Sequence, residues 1–382
     1  MKKSFVKLCA FLSVFFISVS FAAGGSVPRK VQKGQEAWRS FKKAQNAFES
    51  NDYSKAIEYA EESRQIRMQD AAWQTYILEN TLKKSKVRRA GDELDRVIPE
   101  LKELGFNDAL EIINTHLEKV GAAYFNNSYA KVFDYIHIYA NYTEADYLLG
   151  KIYRLEGEFG VALNYMKKAY DCAINLDVPM EKYDLLYDLA SLSYDLGNYD
   201  DFEKYSLAIV VDNEYYSDEA FMRSLKRIID MDSQEAVDKF FLLYRCKNDL
   251  ALKALIDLSE IYKACGESDK TLKCTSLASI IAVSKLENIL AQRLNDYEFF
   301  GIGDLLTKCQ RYPDIVVWGN ENNIWKLFCN FAEAVAYNGK IFFARNLLRI
   351  LSEDEPEEYW RKYASELMVN GLIVDGNIRI EE

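Results

Sequence analysis

Apolar residues recur at three- and four-residue spacing from Gln35 to about Met368, and the stretches between them are short and polar. The polar breaks include Ser50-Asn51-Asp52, Glu156-Gly157-Glu158, Leu196-Gly197-Asn198 and Asn338-Gly339-Lys340. Each follows a helix-length pattern of about fourteen residues, which predicts a series of helical hairpins. Only the tail departs from this period. There, Asp375-Gly376 separates two short β-branched runs between Gly371 and Ile380, a pattern that predicts a β-hairpin.

The breaks share a phase with small residues around them. Gly150, Gly157, Ala162 and Ala169 are separated by steps of seven, five and seven. The same steps join Ala44, Asn51, Ala56 and Ser63; Ser259, Gly266, Thr271 and Ala278; and Ala332, Gly339, Ala344 and Leu351, with Pro356 five further on. Two antiparallel helices approach closely only where facing side chains are small. The Gly or Asn between them ends the first helix, where a left-handed conformation is needed. Leu149, Tyr153, Phe159 and Met166 are expected to fill the gaps around the best unit. A fifth unit, Asp184 to Val210, carries Phe202 and Ile209 where small residues belong, so a splayed pair is expected there.

Small residues at that spacing resemble the tetratricopeptide repeat, a 34-residue helix–turn–helix unit. Tyr142 to Leu176, containing ADYLLGKIYRLEGEFGVALNYMKKAY, is the closest match. Asn322 to Pro356 follows and has the terminal proline of the family. Residues 70–104 and 217–247 match by helical period alone. The resemblance implies an all-α fold, an α-solenoid of antiparallel helix pairs, with roughly eight or nine pairs at about 40 residues each. The expected organisation is a signal peptide over 1–22, a linker over 23–35, the repeat domain over 36–369 and a tail with a short β-hairpin over 370–382.

Composition narrows the function. The chain of 382 residues is 49% hydrophobic and 28% charged, with only 5 Pro and 17 Gly, which suits a helical globular protein. The formal charge is −11. Loss of Lys2, Lys3 and Lys7 with the N-terminal segment would deepen it by three. Such a field opposes binding to nucleic acid and to anionic lipid.

That segment, MKKSFVKLCAFLSVFFISVSFAAGG, has two opening lysines, an apolar run from Leu8 to Phe21 and small residues at Ser20 and Ala22. These are the parts of a secretory signal peptide cleaved after Ala22, with a retained membrane anchor as the alternative. Cys9 lies too early for lipid attachment. No later stretch is expected to span a bilayer, because Lys273, Lys285 and Glu287 interrupt the most apolar one. A periplasmic location is the expectation. Six cysteines remain, without CxxC pairing, and are expected as buried free thiols; Cys265 and Cys274 flank one turn and are the best candidate pair.

No catalytic constellation emerges. The two histidines, His116 and His137, lack partners at metal-ligand spacing. There is no phosphate loop or nucleophile elbow. Gly301-Ile-Gly303 lacks the rest of a nucleotide fingerprint. The acidic run from Ser352 to Glu358 suits a helix N-terminus, not a calcium loop. No catalytic, cofactor-binding or metal-binding residue is therefore assigned.

The resemblance instead implies a protein-binding surface, because in that family the first helix of each hairpin lines the concave face. Carried over by position, this places Glu144, Tyr147, Lys151 and Arg154 in one stripe, and Asp184, Tyr187, Ser191 and Tyr194 in the next. The carboxylate clamp of the family has Lys where Tyr147 stands, so it is not implied. Acidic, aromatic-rich, irregular repeats resemble those of spirochaetal periplasmic proteins, in particular the tetratricopeptide proteins of the periplasmic flagellar collar. The expected function is a non-enzymatic scaffold whose partners are proteins of the envelope or the flagellar motor. A component that hands a small molecule to a transporter, and a hydrolase, are the alternatives.

Overall fold

A computed structural model describes residues 27–84, 136–294, 297–369, 373–374 and 378–379. The signal-peptide expectation and His116 lie outside these residues. The described chain is all-α, with fifteen helices. They are α1 (Ala37–Glu49), α2 (Tyr53–Lys84), α3 (Thr143–Leu155), α4 (Phe159–Asp171), α5 (Glu181–Asp195), α6 (Tyr199–Val210), α7 (Glu219–Asp230), α8 (Gln234–Leu242), α9 (Leu252–Ala264), α10 (Ser268–Ala291), α11 (Ile302–Cys309), α12 (Pro313–Glu321), α13 (Ile324–Tyr337), α14 (Ile341–Asp354) and α15 (Glu358–Val369). In the tail, β1 (Ile373–Val374) pairs antiparallel with β2 (Ile378–Arg379), Val374 opposite Ile378, as the Asp375-Gly376 signal predicts. The turn itself lies outside the described residues.

Five turns have one construction. Asn51, Gly157, Gly197, Gly266 and Gly339 all have positive φ, between 59° and 79°. In each, the amide of this residue donates to the carbonyl three residues back, and the next amide reaches five residues back. For the turn at Gly157 these bonds run to Arg154 and Tyr153; at Gly266, to Lys263 and Tyr262. Both bonds satisfy carbonyls that the ending helix leaves free, and the left-handed residue makes them possible. The following helix then starts in the same register every time, with the amides of Ala56, Ala162, Phe202, Thr271 and Ala344 making its first bond. Ala44, Ala56, Ser63, Ala162, Ala169, Ser259, Ala278, Ala332 and Ala344 are all buried.

Two compact units hold these helices, Met1–Ile152 and Tyr153–Glu382. In the first, α1 packs along α2, and Ala37, Phe41, Ile66, Tyr142 and Ala145 share a small core. Arg64 Nε meets the buried Asp146 carboxylate at 2.7 Å. The described end of the linker runs beside α2, where Gln69 Nε2 donates to the Arg29 carbonyl at 3.1 Å.

In the second unit the helices stack in the order α4, α5, α6, α9, α10, α13, α14, α15, each packed on the next. The α5–α6 pair is not splayed. Phe202 and Ile209 are buried, and this pair is among the most extensively packed, because the Phe202 ring turns edge-on to Tyr194 instead of wedging the helices apart. Phe159, expected as a gap filler, is exposed. The long spacing from Gly157 to Gly197 arises in the α4–α5 connection, which contains a single 3₁₀ turn at Ala173–Asn175.

Among the described residues, four helices leave the stack. The α7–α8 hairpin packs through α8 onto α14, and α11 also packs onto α14. The anchor of α8 is aromatic: Phe240 lies 4.8 Å from Phe331 and 6.0 Å from Phe343, between ring centres. Asp232 Oδ1 in the α7–α8 turn accepts from the Phe343 amide at 2.8 Å, capping α14, whose own flanking residue Lys340 supplies no side-chain cap. At α12, Gly319 lets the buried Trp325 indole lie where a Cβ would stand, about 2.1 Å from its ring atoms.

One expectation needs correction, and the expectation of free thiols holds among the described cysteines, though not all are buried. Ser268–Arg293 is long and apolar enough to cross a membrane, despite its charges; however, 72% of its apolar window is buried inside the unit, as in a core helix. Cys265 and Cys274 do not pair: all six described cysteines are free, with Cys265 exposed at the helix end and Cys274 turned into the core. Burial pushes the Cys246, Cys274 and Cys309 thiols up to about 12, which leaves them unreactive at neutral pH.

Candidate functional site

The stripe expected on α3 and α5 is only partly available. Glu144 and Tyr147 are buried, so neither can meet a partner directly. Their helix turns them inward because Thr143 to Gly150 is buried along its whole length. Lys151 is half-buried, with its Nζ 4.0 Å from the centre of the Tyr147 ring. Arg154 spans to α5, donating to Ser191 Oγ at 2.8 Å and pairing with Asp195 at 3.1 Å and Asp188 at 3.4 Å.

On α5, Tyr187 is a tether and not an open anchor. Its hydroxyl donates to the Leu250 carbonyl and accepts from the Ala254 amide at 3.3 Å, fixing the start of α9 beside α5. Burial pushes this phenol up to about 12. Asp184 and Tyr194 are exposed.

The same four positions, counted from the small residue of each first helix, can be carried forward to α9 and α13. They give Lys253, Ile256, Glu260 and Lys263, then Lys326, Cys329, Glu333 and Ala336. Four of these, with Asn330, form a continuous polar network. Glu260 accepts from Asn330 Nδ2 at 2.7 Å and pairs with Lys326 at 2.8 Å. Lys263 Nζ donates to Glu333 Oε2 at 2.5 Å and to Asn330 Oδ1 at 3.2 Å. Tyr363 of α15 donates to the other Glu333 oxygen at 3.0 Å. Such partly exposed ion pairs contribute about 0–1 kcal/mol each, so their main effect is to fix where α9, α13 and α15 sit.

These three helices enclose a cleft of about 510 Å³, open to solvent, lined by Glu260, Lys263, Lys326 and Asn330 on one side and by Tyr359, Trp360 and Tyr363 on the other. The α15 side was missed in the sequence because Tyr359, Trp360 and Tyr363 follow Pro356, where the repeat pattern ends. Their spacing of one and then three residues puts the rings on one helix face. Near this cleft, Glu355 is fully buried, with Cys329 Sγ 3.8 Å from Oε2 and no partner for Oε1 among the described residues. Burial raises its carboxyl well above the ordinary range, chiefly by desolvation.

Among the described residues no three His, Cys, Asp or Glu side chains converge as a metal site would require. No known family matches the chain. It is similar to an uncharacterized protein of Treponema pallidum (strain Nichols), with 29% identity over 338 residues, 88% of this chain and 90% of the relative.

Proposed function

We propose that the chain is a non-enzymatic, exported scaffold of tetratricopeptide type. It binds other proteins along the face made by the first helices of its pairs. The observation that carries this reading is the row α5, α9, α13 and α15. Tyr187, then Glu260, Lys263 and Asn330, then Tyr363 join each first helix to the next, so one extended polar and aromatic surface is held rigid. A preorganised surface of that kind keeps the entropy cost of binding low. The five identically built turns support the repeat assignment. The open cleft favours a macromolecular partner over an enclosed small molecule, which speaks against the transporter alternative. A relative in Treponema pallidum supports the spirochaetal part of the reading, and envelope or flagellar-motor proteins of the periplasm are the proposed partners.

The test replaces Asp184, Tyr194, Lys253 and Lys326 together by Ala. All four lie on the first-helix face; Tyr194 also meets Phe202 edge-on and Lys326 pairs with Glu260, so the fold is checked alongside. Affinity capture from the native cell envelope should lose its specific partners while far-UV circular dichroism holds. Unchanged capture with intact helicity would move the binding surface elsewhere. Export is checked separately, by N-terminal sequencing of the protein recovered from the periplasmic fraction.

A further inference from the structure

Several of the chain's tyrosine rings are covered by its own cations. Lys151 lies over Tyr147, Lys253 over Tyr187, Lys270 over Tyr262, Lys273 over Tyr216 and Arg293 over Tyr312. Tyr359, Trp360 and Tyr363 line a cleft together, and among the described residues no lysine or arginine lies over these rings. Cations are close by, but each is engaged. Arg361 donates to the Glu355 carbonyl at 2.6 Å, and Lys362 pairs with Glu358 at 2.6 Å. Lys263 and Lys326 are held by Glu333 and Glu260.

The ring geometry is that of a box and not a stack. Tyr359 stands at 89° to the Trp360 indole with centres 4.9 Å apart; Tyr363 stands at 88° with centres 5.5 Å apart. In an edge-to-face pair, the ring that presents its edge keeps both of its own π-faces uncovered by that contact. A cation within about 6 Å of a ring centre is attracted by the ring quadrupole, and these spacings let one cation reach more than one ring. Glu333, bonded to Tyr363, is itself paired with Lys263, so the favourable field is that of the chain as a whole, which carries −11.

We propose that this box takes the guanidinium or ammonium of a basic peptide segment. Tyr359, Trp360 and Tyr363 form its walls, and the net negative charge of the chain supplies the longer-range attraction. This rests on the protein-binding reading above and names the chemistry its partner brings to the α15 end of the face.

The probe is a deca-arginine peptide titrated into the full chain, read by calorimetry and tryptophan fluorescence. A deca-glutamate peptide and a deca-citrulline peptide, the neutral isostere, serve as comparisons. The protein variants are Tyr359→Leu and the double change Tyr359→Leu with Trp360→Leu, which leave the net charge untouched. Tyr359 is 63% exposed, so its loss should leave the fold intact, and circular dichroism checks this. The wild type should bind deca-arginine at least tenfold tighter than deca-citrulline. Tyr359→Leu should weaken that binding about fivefold and the double variant more, in keeping with desolvated cation–π contacts, while Tyr359→Phe retains it. Equal affinity in wild type and double variant would reduce the binding to the general field of the chain and overturn the box. So would binding of deca-citrulline at equal strength, preference for deca-glutamate, or no binding of deca-arginine. Envelope capture by the four-residue variant, which keeps all three rings, reads the scaffold function independently of each of these outcomes.

Discussion

The first helix α5 and the end of the stack at α13–α15 put their aromatic rings to different ends. On α5, the central aromatic of the stripe is Tyr187, and the chain itself occupies it: Leu250 and Ala254 hold the hydroxyl and Lys253 sits over the ring. At α15, three rings line an open cleft, and among the described residues no cation lies over them. A surface position becomes a binding position only when folding leaves it unsatisfied. Repeat phase alone says which residues face outward, not which have already found partners.

Substitutions can break this comparison. The largest expected effect belongs to packing common to both regions. Ala162 is fully buried, so Ala162→Leu should overpack its helix and lower stability by about 1–3 kcal/mol. An unchanged thermal melt would mean that the small-residue phase is misplaced. On the closed side, Tyr187→Phe removes a hydroxyl that both donates and accepts, and should cost about 1–2 kcal/mol without weakening partner capture. Loss of capture with an unaffected melt would turn Tyr187 back into a binding anchor. Asp232→Ala should cost about 1 kcal/mol through the uncapped start of α14, measured by urea denaturation.

Glu355→Gln acts beneath the open side and carries a pH signature. The folded carboxyl binds its proton more tightly than the unfolded one. Stability from this group is therefore complete below the unfolded value, near 4.5, and declines as pH rises toward the folded value. The variant should melt higher than wild type at pH 7 and alike at pH 4, each unit of separation being worth about 1.4 kcal/mol. The smallest effect on stability is expected from Tyr359→Ala, within about 0.5 kcal/mol, because the ring is largely in solvent.

Much of the fold was legible in the sequence because its turns are local. Asn51, Gly157, Gly197, Gly266 and Gly339 announce themselves by residue type and by spacing to small neighbours, and each forms the turn those features require. The excursions of α7–α8 and α11–α12 were not legible. The first rests on Phe240 meeting Phe331 and Phe343, and on Asp232 capping a helix 111 residues away. Nothing in local periodicity encodes such contacts. The site was half legible for the same reason. The register that picked out Lys151 and Tyr187 also picks out Glu260, Lys263, Lys326 and Glu333, but tertiary contacts buried Tyr147 and tethered Tyr187. The aromatic side of the cleft lies on α15, beyond the last turn of that register.

Site-specific photo-crosslinking in the native envelope tests the first-helix face most directly. A photoreactive residue placed at Tyr194 or Lys253, on first helices, is compared with one at Lys204 or Glu353, on second helices; all four positions are exposed. Discrete protein adducts from positions 194 and 253, and none from 204 and 353, are the expected result. Adducts confined to the second-helix positions would contradict the assignment of the first-helix face as the binding surface.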